Sequence, residues 1–302
     1  MKFKLLLLFY INFIWAQTHV SSGKLDVFND FNSKYVTART VKVWLPENYN
    51  LNSKYAVLYM HDGQMLFDSI TTWNKQSWKI DEIATKLMQE NSTKPFIVVG
   101  IDNGGKTRHT DYFPQKPYEN LNKNQKKWVT KQLIDNARIE KHFNPISDNY
   151  LKFLVHELKP MIDAKYAVAT DKHNTFIMGS SMGGLISMYA ILEYPHIFGG
   201  AACLSTHWPG VFITDNNPIP EALYKYLNKN IPKIKSNKIY FDYGNKTLDI
   251  MYPPLQKEVD QIFRDNGFNN QNWQTHFFHG EDHSENAWSK RLHIPLKFLL
   301  NP

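Results

Sequence analysis

The sequence is short of cysteine and of long apolar segments, and both shortages limit what the protein can be. Cys203 is the only cysteine among 302 residues, so the chain cannot form an internal disulfide. A bilayer span takes ~20 consecutive apolar residues, and no segment of the sequence reaches that length. We therefore expect neither a disulfide framework nor a membrane span in the mature protein.

The sequence also lacks internal repeats, low-complexity linkers and any nucleic-acid-binding motif. Its formal net charge is +7, and the lysines are spread along the chain, with the densest group at residues 123–131. Lysine spread in this way is typical of a solvated surface, so we expect no nucleic-acid partner. Hydrophobic residues make up 42% of the chain, which is enough for one large core.

The N-terminus has the pattern of a secretory signal peptide. Lys2 and Lys4 precede an apolar run at residues 5–15, and Ala16 follows it before a polar segment. A basic start, an apolar run of about eleven residues and a small residue at the end are typical of such a leader. We predict a signal peptide at residues 1–16 and a protein that is secreted or periplasmic.

Apolar strands alternate with amphipathic helices through most of the chain. This alternation predicts an α/β fold with a mainly parallel sheet and helices on both of its faces, in one domain at residues 17–302. Two stretches fit no regular element, and we interpret them as insertions near residues 106–149 and 206–237. Strands are predicted at 41–46, 55–60, 95–101, 174–178, 199–204, 238–243 and 273–278, and helices at 80–89, 150–164, 185–194, 252–266 and 292–300.

The segment Gly179-Ser180-Ser181-Met182-Gly183-Gly184 carries the strongest functional signal. It reads G-x-S-x-G and lies between a predicted strand and a predicted helix, which is the context of a nucleophile elbow. Small residues two before and two after the serine allow the tight turn, and the following helix begins just behind the hydroxyl. The pattern predicts that Ser181 is a catalytic nucleophile.

Serine needs a base that takes its proton and a group that holds the base. His283 lies in the loop after the last predicted strand, where an α/β-hydrolase carries its histidine, and we predict that it is the base. The acid is expected after the strand at 238–243. Asp249 is the only carboxylate in the 244–249 loop and is the preferred candidate, with Asp242 as the alternative.

An oxyanion hole needs two backbone N–H groups that point at the developing charge. We predict that Met182, directly after the nucleophile, supplies one, and that Gln64, in the turn after the strand at 55–60, supplies the other. His61 and Asp62 in the same turn are types of metal ligand, but no matching ligand cluster follows them in the sequence. We predict no metal site.

Several large side chains are candidates for substrate contact. Aromatic rings stack on sugars and on aromatic acyl groups, although packing in the core is an equally good interpretation of each one. The candidate substrate-binding residues are Trp73, Trp78, Arg108, Tyr112 and Trp208.

The combination of three segments resembles the putative esterase superfamily of α/β-hydrolases. These segments are His61-Asp62-Gly63-Gln64, the elbow at 179–184, and Gly280 to His283 with Trp288. The superfamily includes esterase D, enterochelin esterases, feruloyl and acetyl-xylan esterases and mycolyltransferases. The resemblance covers roughly residues 36–300 and implies an α/β-hydrolase fold that hydrolyses carboxylic esters without a cofactor.

Carried over by position, the resemblance implies that Ser181 is the nucleophile and His283 the base, with Gln64 and Met182 in the oxyanion hole. The acid loop departs from the family pattern, because many relatives place a carboxylate where Thr247 stands here. Asp249, Asp242 and a Ser–His dyad without an acid therefore all stay open.

The favoured function is a secreted serine esterase that acts on a small-molecule or polysaccharide ester. Feruloyl or acetyl esters of plant polysaccharides are one expected substrate class, and a siderophore lactone is another. An acyltransferase would use the same elbow with a different acceptor. A catalytically inactive binding protein of the same fold is the alternative of another class.

Overall fold

A single eight-stranded sheet organises the chain in the order β1-β2-β4-β3-β5-β6-β7-β8. The computed structural model describes residues 18–302, so the predicted signal peptide lies outside the described residues. β1 pairs antiparallel with β2, β2 pairs antiparallel with β4, and the remaining neighbours are parallel. The strands are β1 Lys24–Phe31, β2 Arg39–Leu45, β3 Ala56–His61, β4 Phe96–Ile101, β5 Thr175–Ser180, β6 Gly200–Leu204, β7 Lys238–Tyr243 and β8 Trp273–Phe277.

Helices follow most of the parallel strands, as crossover connections between parallel strands require. A π-helical segment, Leu154–Leu158, joins α5 to α6. The helices are α1 Ile80–Gln89, α2 Arg108–Tyr112, α3 Gln115–Glu119, α4 Lys123–Asp135, α5 Ser147–Phe153, α6 Lys159–Lys165, α7 Met182–Glu193, α8 Ile219–Asn230, α9 Tyr252–Asp265, α10 Glu285–Arg291 and α11 His293–Leu299.

The central strands are apolar along their whole length because helices cover both faces of the sheet. In β4, Ile97 and Val99 belong to one buried cluster, and Phe96 and Val98 belong to the other. The period-2 alternation of side chains thus divides one apolar run between two cores. This explains why these strands show no apolar–polar alternation in the sequence.

Parallel strands bring their carboxyl ends to one edge of the sheet. β3 ends at His61, β5 at Ser180 and β7 at Tyr243, and ligands of open α/β sheets bind beyond such ends. The predicted fold class is confirmed, since the sheet is mainly parallel with helices on both faces. Polar residues that follow these strands can therefore meet at this one edge.

The structure differs from the predicted secondary structure at several points. The stretch at 106–149 is mostly helical, with α2, α3 and α4, and the stretch at 206–237 contains α8. Lysine and asparagine on the exposed sides of these helices hid their periodicity. β1 was not predicted, because its half-exposed sequence at the sheet edge has a mixed pattern of burial.

The closing helix is also two helices, α10 and α11, rather than one at 292–300. None of the helices between residues 18 and 302 is both long enough and apolar enough to cross a membrane.

Candidate active site

Ser181 occupies a strained turn between β5 and α7. Its backbone has φ 58° and ψ −122°, a conformation that L-residues rarely adopt and that costs on the order of 1–3 kcal/mol. A Cβ added at Gly179 would lie 2.7 Å from the carbonyl carbon and oxygen of Gly183. Any larger residue at Gly179 would therefore open the turn, which explains the small residues around the serine.

The backbone of the elbow is held by the end of the neighbouring strand. The Ser181 N–H donates to the Leu204 carbonyl at 2.9 Å, and the Ser181 carbonyl accepts from the His207 N–H at 3.2 Å. These bonds fix the serine between β6 and α7, so the tertiary structure maintains its unusual dihedral angles.

The structure brings His283 and Asp249 together. Asp249 Oδ1 lies 2.6 Å from His283 Nδ1, and the Asp249 side chain is fully buried. Asp249 Oδ2 accepts further hydrogen bonds from Ser205 Oγ and from the Gly244 N–H, both at 2.7 Å. A buried carboxylate with three hydrogen-bonding partners is well suited to hold an imidazole in one orientation.

The hydrogen bonds around Ser205 have only one self-consistent arrangement. Trp288 Nε1 lies 3.0 Å and an Arg291 nitrogen 3.1 Å from Ser205 Oγ, and both of these groups are donors only. Ser205 Oγ therefore accepts from both, and its own proton points to Asp249. Ser205 has φ 40°, so a second strained residue supports the acid.

Asp242, the alternative acid, has a different partner. It lies 2.9 Å from Arg291 in a buried salt bridge and makes no hydrogen bond to His283 among the described residues. Burial raises the pKa of Asp242, and the Arg291 charge opposes that rise. Asp242 is thus linked to the site only through Arg291 and Ser205.

Thr247, at the position where the resemblance leads us to expect a carboxylate, contacts the backbone of the histidine loop. Its Oγ1 accepts a hydrogen bond from the His283 N–H at 2.9 Å. Its φ of 51° is left-handed. Thr247 therefore holds the His283 backbone, whereas Asp249 holds the His283 ring.

The turn after β3 places Gln64 at the same site. Asp62 has φ 56°, and a Cβ at Gly63 would lie 2.7 Å from the backbone of β4. Gln64 Oε1 accepts a hydrogen bond from the Asn103 N–H at 3.2 Å. This bond fixes the orientation of the Gln64 side chain. Met182 is the first residue of α7, where a helix has N–H groups without intrahelical partners.

These groups surround one cavity of about 580 Å³, a size typical of small-molecule sites. Ser181, His283, Gln64 and Met182 line it, whereas Asp249 lies behind His283. The rings of Trp288 and Tyr252 meet the His283 ring edge-on at 5.0 and 5.8 Å between centroids. They leave the histidine little freedom to rotate.

Three of the five predicted substrate contacts line this cavity. Trp73 is 84% exposed, whereas Trp78 is buried and packs on Trp288 at 5.5 Å. Arg108 makes a bidentate pair with Asp62 at 2.7 and 2.8 Å. Burial opposes ionisation of Asp62, but the Arg108 charge holds the pKa of that carboxyl below its usual value.

The predictions for Tyr112 and Trp208 are wrong as to position. Both side chains are buried, and neither lines the cavity. Tyr112 packs beneath the Arg108 guanidinium at 5.3 Å, and Trp208 Nε1 donates to Gln256 at 2.8 Å. An isolated aromatic residue in a polar stretch carries no signal that separates these roles.

Four further residues lie at the site without any signal for them in the sequence. Ser205 donates a hydrogen bond to Asp249, and the Tyr252 hydroxyl shares a hydrogen bond with His207 Nδ1 at 2.8 Å. His207 and Arg138 line the cavity. None of the four belongs to a local motif, so contacts between distant segments are needed to find them.

Within residues 18–302 no group of three or more histidine, cysteine, aspartate or glutamate side chains is placed to hold a metal ion. His61 Nδ1 instead forms a hydrogen bond with the Tyr150 hydroxyl at 2.8 Å, and Asp62 forms a salt bridge with Arg108. Cys203 is buried, and burial raises the pKa of its thiol. It behaves as a small core residue.

The chain belongs to the Putative esterase family, whose model matches residues 34–298. This membership confirms the predicted family. It also confirms the predicted class of enzyme, a carboxylic-ester hydrolase. The uncharacterized protein YbbA of Bacillus subtilis is 25% identical over 172 residues, which cover 56% of this chain. The matched region spans 58% of the length of YbbA.

Solved structures of the same fold include a ferulic acid esterase, with a TM-score of 0.66 and 20% identity. That match covers 92% of this chain and 97% of the esterase. The enterobactin esterase FES of Shigella flexneri has a TM-score of 0.63 and 15% identity over 94% of this chain and 60% of its own. At these identities the likeness shows an α/β-hydrolase fold.

Three buried histidines near the site make the protein sensitive to acid. Burial lowers the pKa of His61 and of His109 to about 3, and that of His207 well below its usual value. In the unfolded chain these three histidines take up protons below pH ~6.5, whereas in the native state they stay neutral at that pH. The stability that depends on these histidines is therefore full above that pH and is lost as the pH falls. The loss at pH 5 is up to about 2 kcal/mol for each of His61 and His109.

We expect His109→Gln to reduce the loss of unfolding free energy between pH 7.5 and pH 5 by about 2 kcal/mol, because glutamine does not titrate. Urea unfolding at the two pH values measures this difference. The matched control is His142→Gln, since His142 is exposed. Equal pH dependence in the two variants would contradict the prediction.

Proposed function

We propose that this protein is a serine esterase that works through an acyl-enzyme on Ser181. The observation that carries the proposal is the 2.6 Å contact between His283 Nδ1 and buried Asp249 Oδ1, made beside a serine whose backbone is strained. Ser181 and His283 line the same cavity. Nucleophile, base and orienting acid are thus available in the order that the α/β-hydrolase fold uses.

His283 acts as general base and then as general acid. The Asp249 carboxylate can only accept a hydrogen bond, so it selects the tautomer with the proton on Nδ1 and leaves the Nε2 lone pair for Ser181. Ser181 Oγ attacks the ester carbonyl as its proton passes to Nε2. The imidazolium, stabilised by Asp249, then gives this proton to the leaving alkoxide.

The N–H groups of Met182 and Gln64 stabilise the negative charge that develops on the carbonyl oxygen. The positive end of the α7 dipole acts in the same direction as the Met182 N–H. Gln64 is held in its turn by Gly63 against β4 and by the Asn103 contact. A preorganised donor of this kind costs no reorganisation during the reaction.

Water completes the reaction by the same steps in reverse. His283 removes a proton from water, the resulting hydroxide attacks the acyl-enzyme carbonyl, and Ser181 leaves with the proton from Nε2. An acceptor other than water would make the enzyme an acyltransferase, and a product analysis with and without a sugar acceptor distinguishes the two.

The substrate we propose is an ester with an aromatic acyl group, such as a feruloyl ester of a polysaccharide. A cavity of about 580 Å³ has room for more than an acetyl group, and Trp78 forms an apolar part of its wall. Exposed Trp73 lies at the same cavity, where a sugar ring can stack on it. A siderophore lactone is the second substrate class to be assayed.

We also propose that the protein is exported. The support is the sequence of residues 1–16, with its basic start and short apolar run. The mass of the chain recovered from the periplasm or medium tests this proposal, and export predicts a mature N-terminus near Gln17. Recovery of only the intact chain in the cytoplasm would contradict it.

Replacement of the nucleophile is expected to abolish activity. Ser181→Ala should reduce kcat/KM on 4-nitrophenyl ferulate by about 10⁴-fold or more, because no other group forms the acyl-enzyme. The matched control is Ser180→Ala, which alters the neighbouring serine at the end of β5 and should retain activity within tenfold. A fluorophosphonate should label the wild type and Ser180→Ala but not Ser181→Ala.

Wild-type activity in Ser181→Ala would refute the proposed mechanism. Absence of labelling in the folded wild type would favour an inactive binding protein instead.

The acid is tested by an isosteric change. Asp249→Asn should lower kcat by about 10³–10⁴-fold with little change in KM, because the amide no longer fixes the tautomer of His283. Asp282→Asn is the matched control in the same region, since Asp282 bonds only to Ser284 among the described residues. If Asp249→Asn kept more than a tenth of wild-type kcat, a Ser–His dyad would be the better description.

A further inference from the structure

Two arginines line the cavity beside the nucleophile, and they differ in how their charge is balanced. Arg108 is paired with Asp62 through two hydrogen bonds. Arg138 has no carboxylate partner within residues 18–302. Its nearest acid in the sequence, Glu140, pairs with Lys106 at 2.9 Å.

The backbone places Arg138 firmly despite its exposed position. The Ala137 N–H donates to the Ile134 carbonyl at 2.9 Å, and the Arg138 N–H donates to the Leu133 carbonyl at 2.8 Å. These two bonds form a Schellman motif that ends α4. Ala137 takes the left-handed position of that motif with φ 54°, where glycine is usual, and the next residue turns towards the cavity.

The side chain of Arg138 is held over an aromatic ring in the cavity wall. Its guanidinium carbon lies 4.6 Å from the centroid of the Phe212 ring, and Phe212 lines the cavity too. Stacking leaves the edge of the guanidinium plane, with its N–H donors, free to bind a ligand. Partial desolvation of its side chain and the like charge of Arg108 lower the pKa of Arg138.

Two further polar atoms in this wall have no partner in the described structure. His109 Nε2 and His207 Nε2 are buried without a hydrogen bond, and both histidines line the cavity. Buried polar atoms without partners are uncommon. Their presence beside a cation without a counter-ion indicates a region built to contact a polar ligand.

Glu285 is the other charged side chain that faces the cavity, and it has partners of its own. It accepts a hydrogen bond from Asn74 at 2.7 Å, and its charge acts on Arg108. The Asp62–Arg108 pair is close to neutral as a unit. Arg138 is therefore the cation in this wall that is available to a ligand.

We propose that Arg138 forms a subsite for a negatively charged group, a carboxylate or another oxyanion, on the ester that reaches Ser181. This inference rests on the proposed function and adds one requirement to its substrate class, namely that the ester also carries a negative charge. The guanidinium binds the charged group while the ester carbonyl lies at the elbow, so the charge orients the substrate without taking part in the chemical step.

Two pairs of substrates test the subsite, each a carboxylate against its isosteric carboxamide. 4-Nitrophenyl 4-carboxybenzoate and 4-carbamoylbenzoate place the charge on the acyl side. 4-Carboxyphenyl acetate and 4-carbamoylphenyl acetate place it on the alcohol side. Each kcat/KM is divided by the rate of hydroxide-catalysed hydrolysis, so that intrinsic reactivity cancels.

We expect the wild type to prefer the carboxylate in at least one pair by about 3- to 10-fold, mostly through KM, as fits a charged contact that is partly exposed. In Arg138→Gln the preference should fall to within about twofold, with little change for the carboxamides. In the wild type it should shrink in 0.5 M NaCl.

The matched control is Arg264→Gln. Arg264 also lies over an aromatic ring, Trp273 at 6.0 Å, but outside the cavity, so this variant should keep the preference. Protection of Ser181 from a fluorophosphonate by benzoate, compared with benzamide, gives the same comparison without turnover and is expected to favour benzoate.

The subsite proposal would be overturned if the wild type showed the same corrected kcat/KM for both members of each pair. It would also be overturned if the preference for the carboxylate survived in Arg138→Gln. Either result leaves the esterase proposal intact as long as Ser181→Ala is inactive. Activity that does not depend on Ser181 would instead refute the mechanism and would say nothing in favour of the subsite.

Discussion

The buried carboxylate of Asp249 is the constraint on which the rest of the candidate site depends. It is surrounded by three donors from three segments: His283, Ser205 and the Gly244 N–H. Removal of a buried charge from water is costly unless hydrogen bonds replace the water. Each donor is therefore required for the carboxylate, and the carboxylate in turn fixes the ring of the histidine.

Ser205 connects Asp249 to other buried side chains through hydrogen bonds. Its hydroxyl joins Asp249 to Trp288 and Arg291, and Arg291 compensates the second buried carboxylate, Asp242. Two carboxylates near one another would repel if both were unpaired. Each carboxylate has its own partner: Asp249 pairs with His283, and Asp242 pairs with Arg291.

The sequence was a good guide wherever one local pattern determined the result. The elbow could be predicted because strand, serine and helix are consecutive and because Gly179 is required by the contact with Gly183. Likewise, α1 and β7 have the predicted bounds, since their side-chain patterns are unbroken. The fold class followed from the alternation of such elements.

The rest of the site depends on contacts between residues far apart in the chain. Ser205 and Asp249 are 44 positions apart, and no periodicity connects them. Tyr112 and Trp208 show the converse, because their burial depends on helices that the sequence pattern did not reveal. The hydrogen bond to His283 that distinguishes Asp249 from Asp242 is likewise a matter of tertiary geometry.

The position of α10 in the chain affects when the site can exist during synthesis. The turn after β3 and the elbow precede His283, Trp288 and Arg291 in the chain and are therefore made before them. A growing chain thus contains Ser181 before it contains His283 or the α10 side chains that contact Ser205. The candidate site is therefore complete only after α10 has been made and its Trp288 and Arg291 side chains have docked against Ser205.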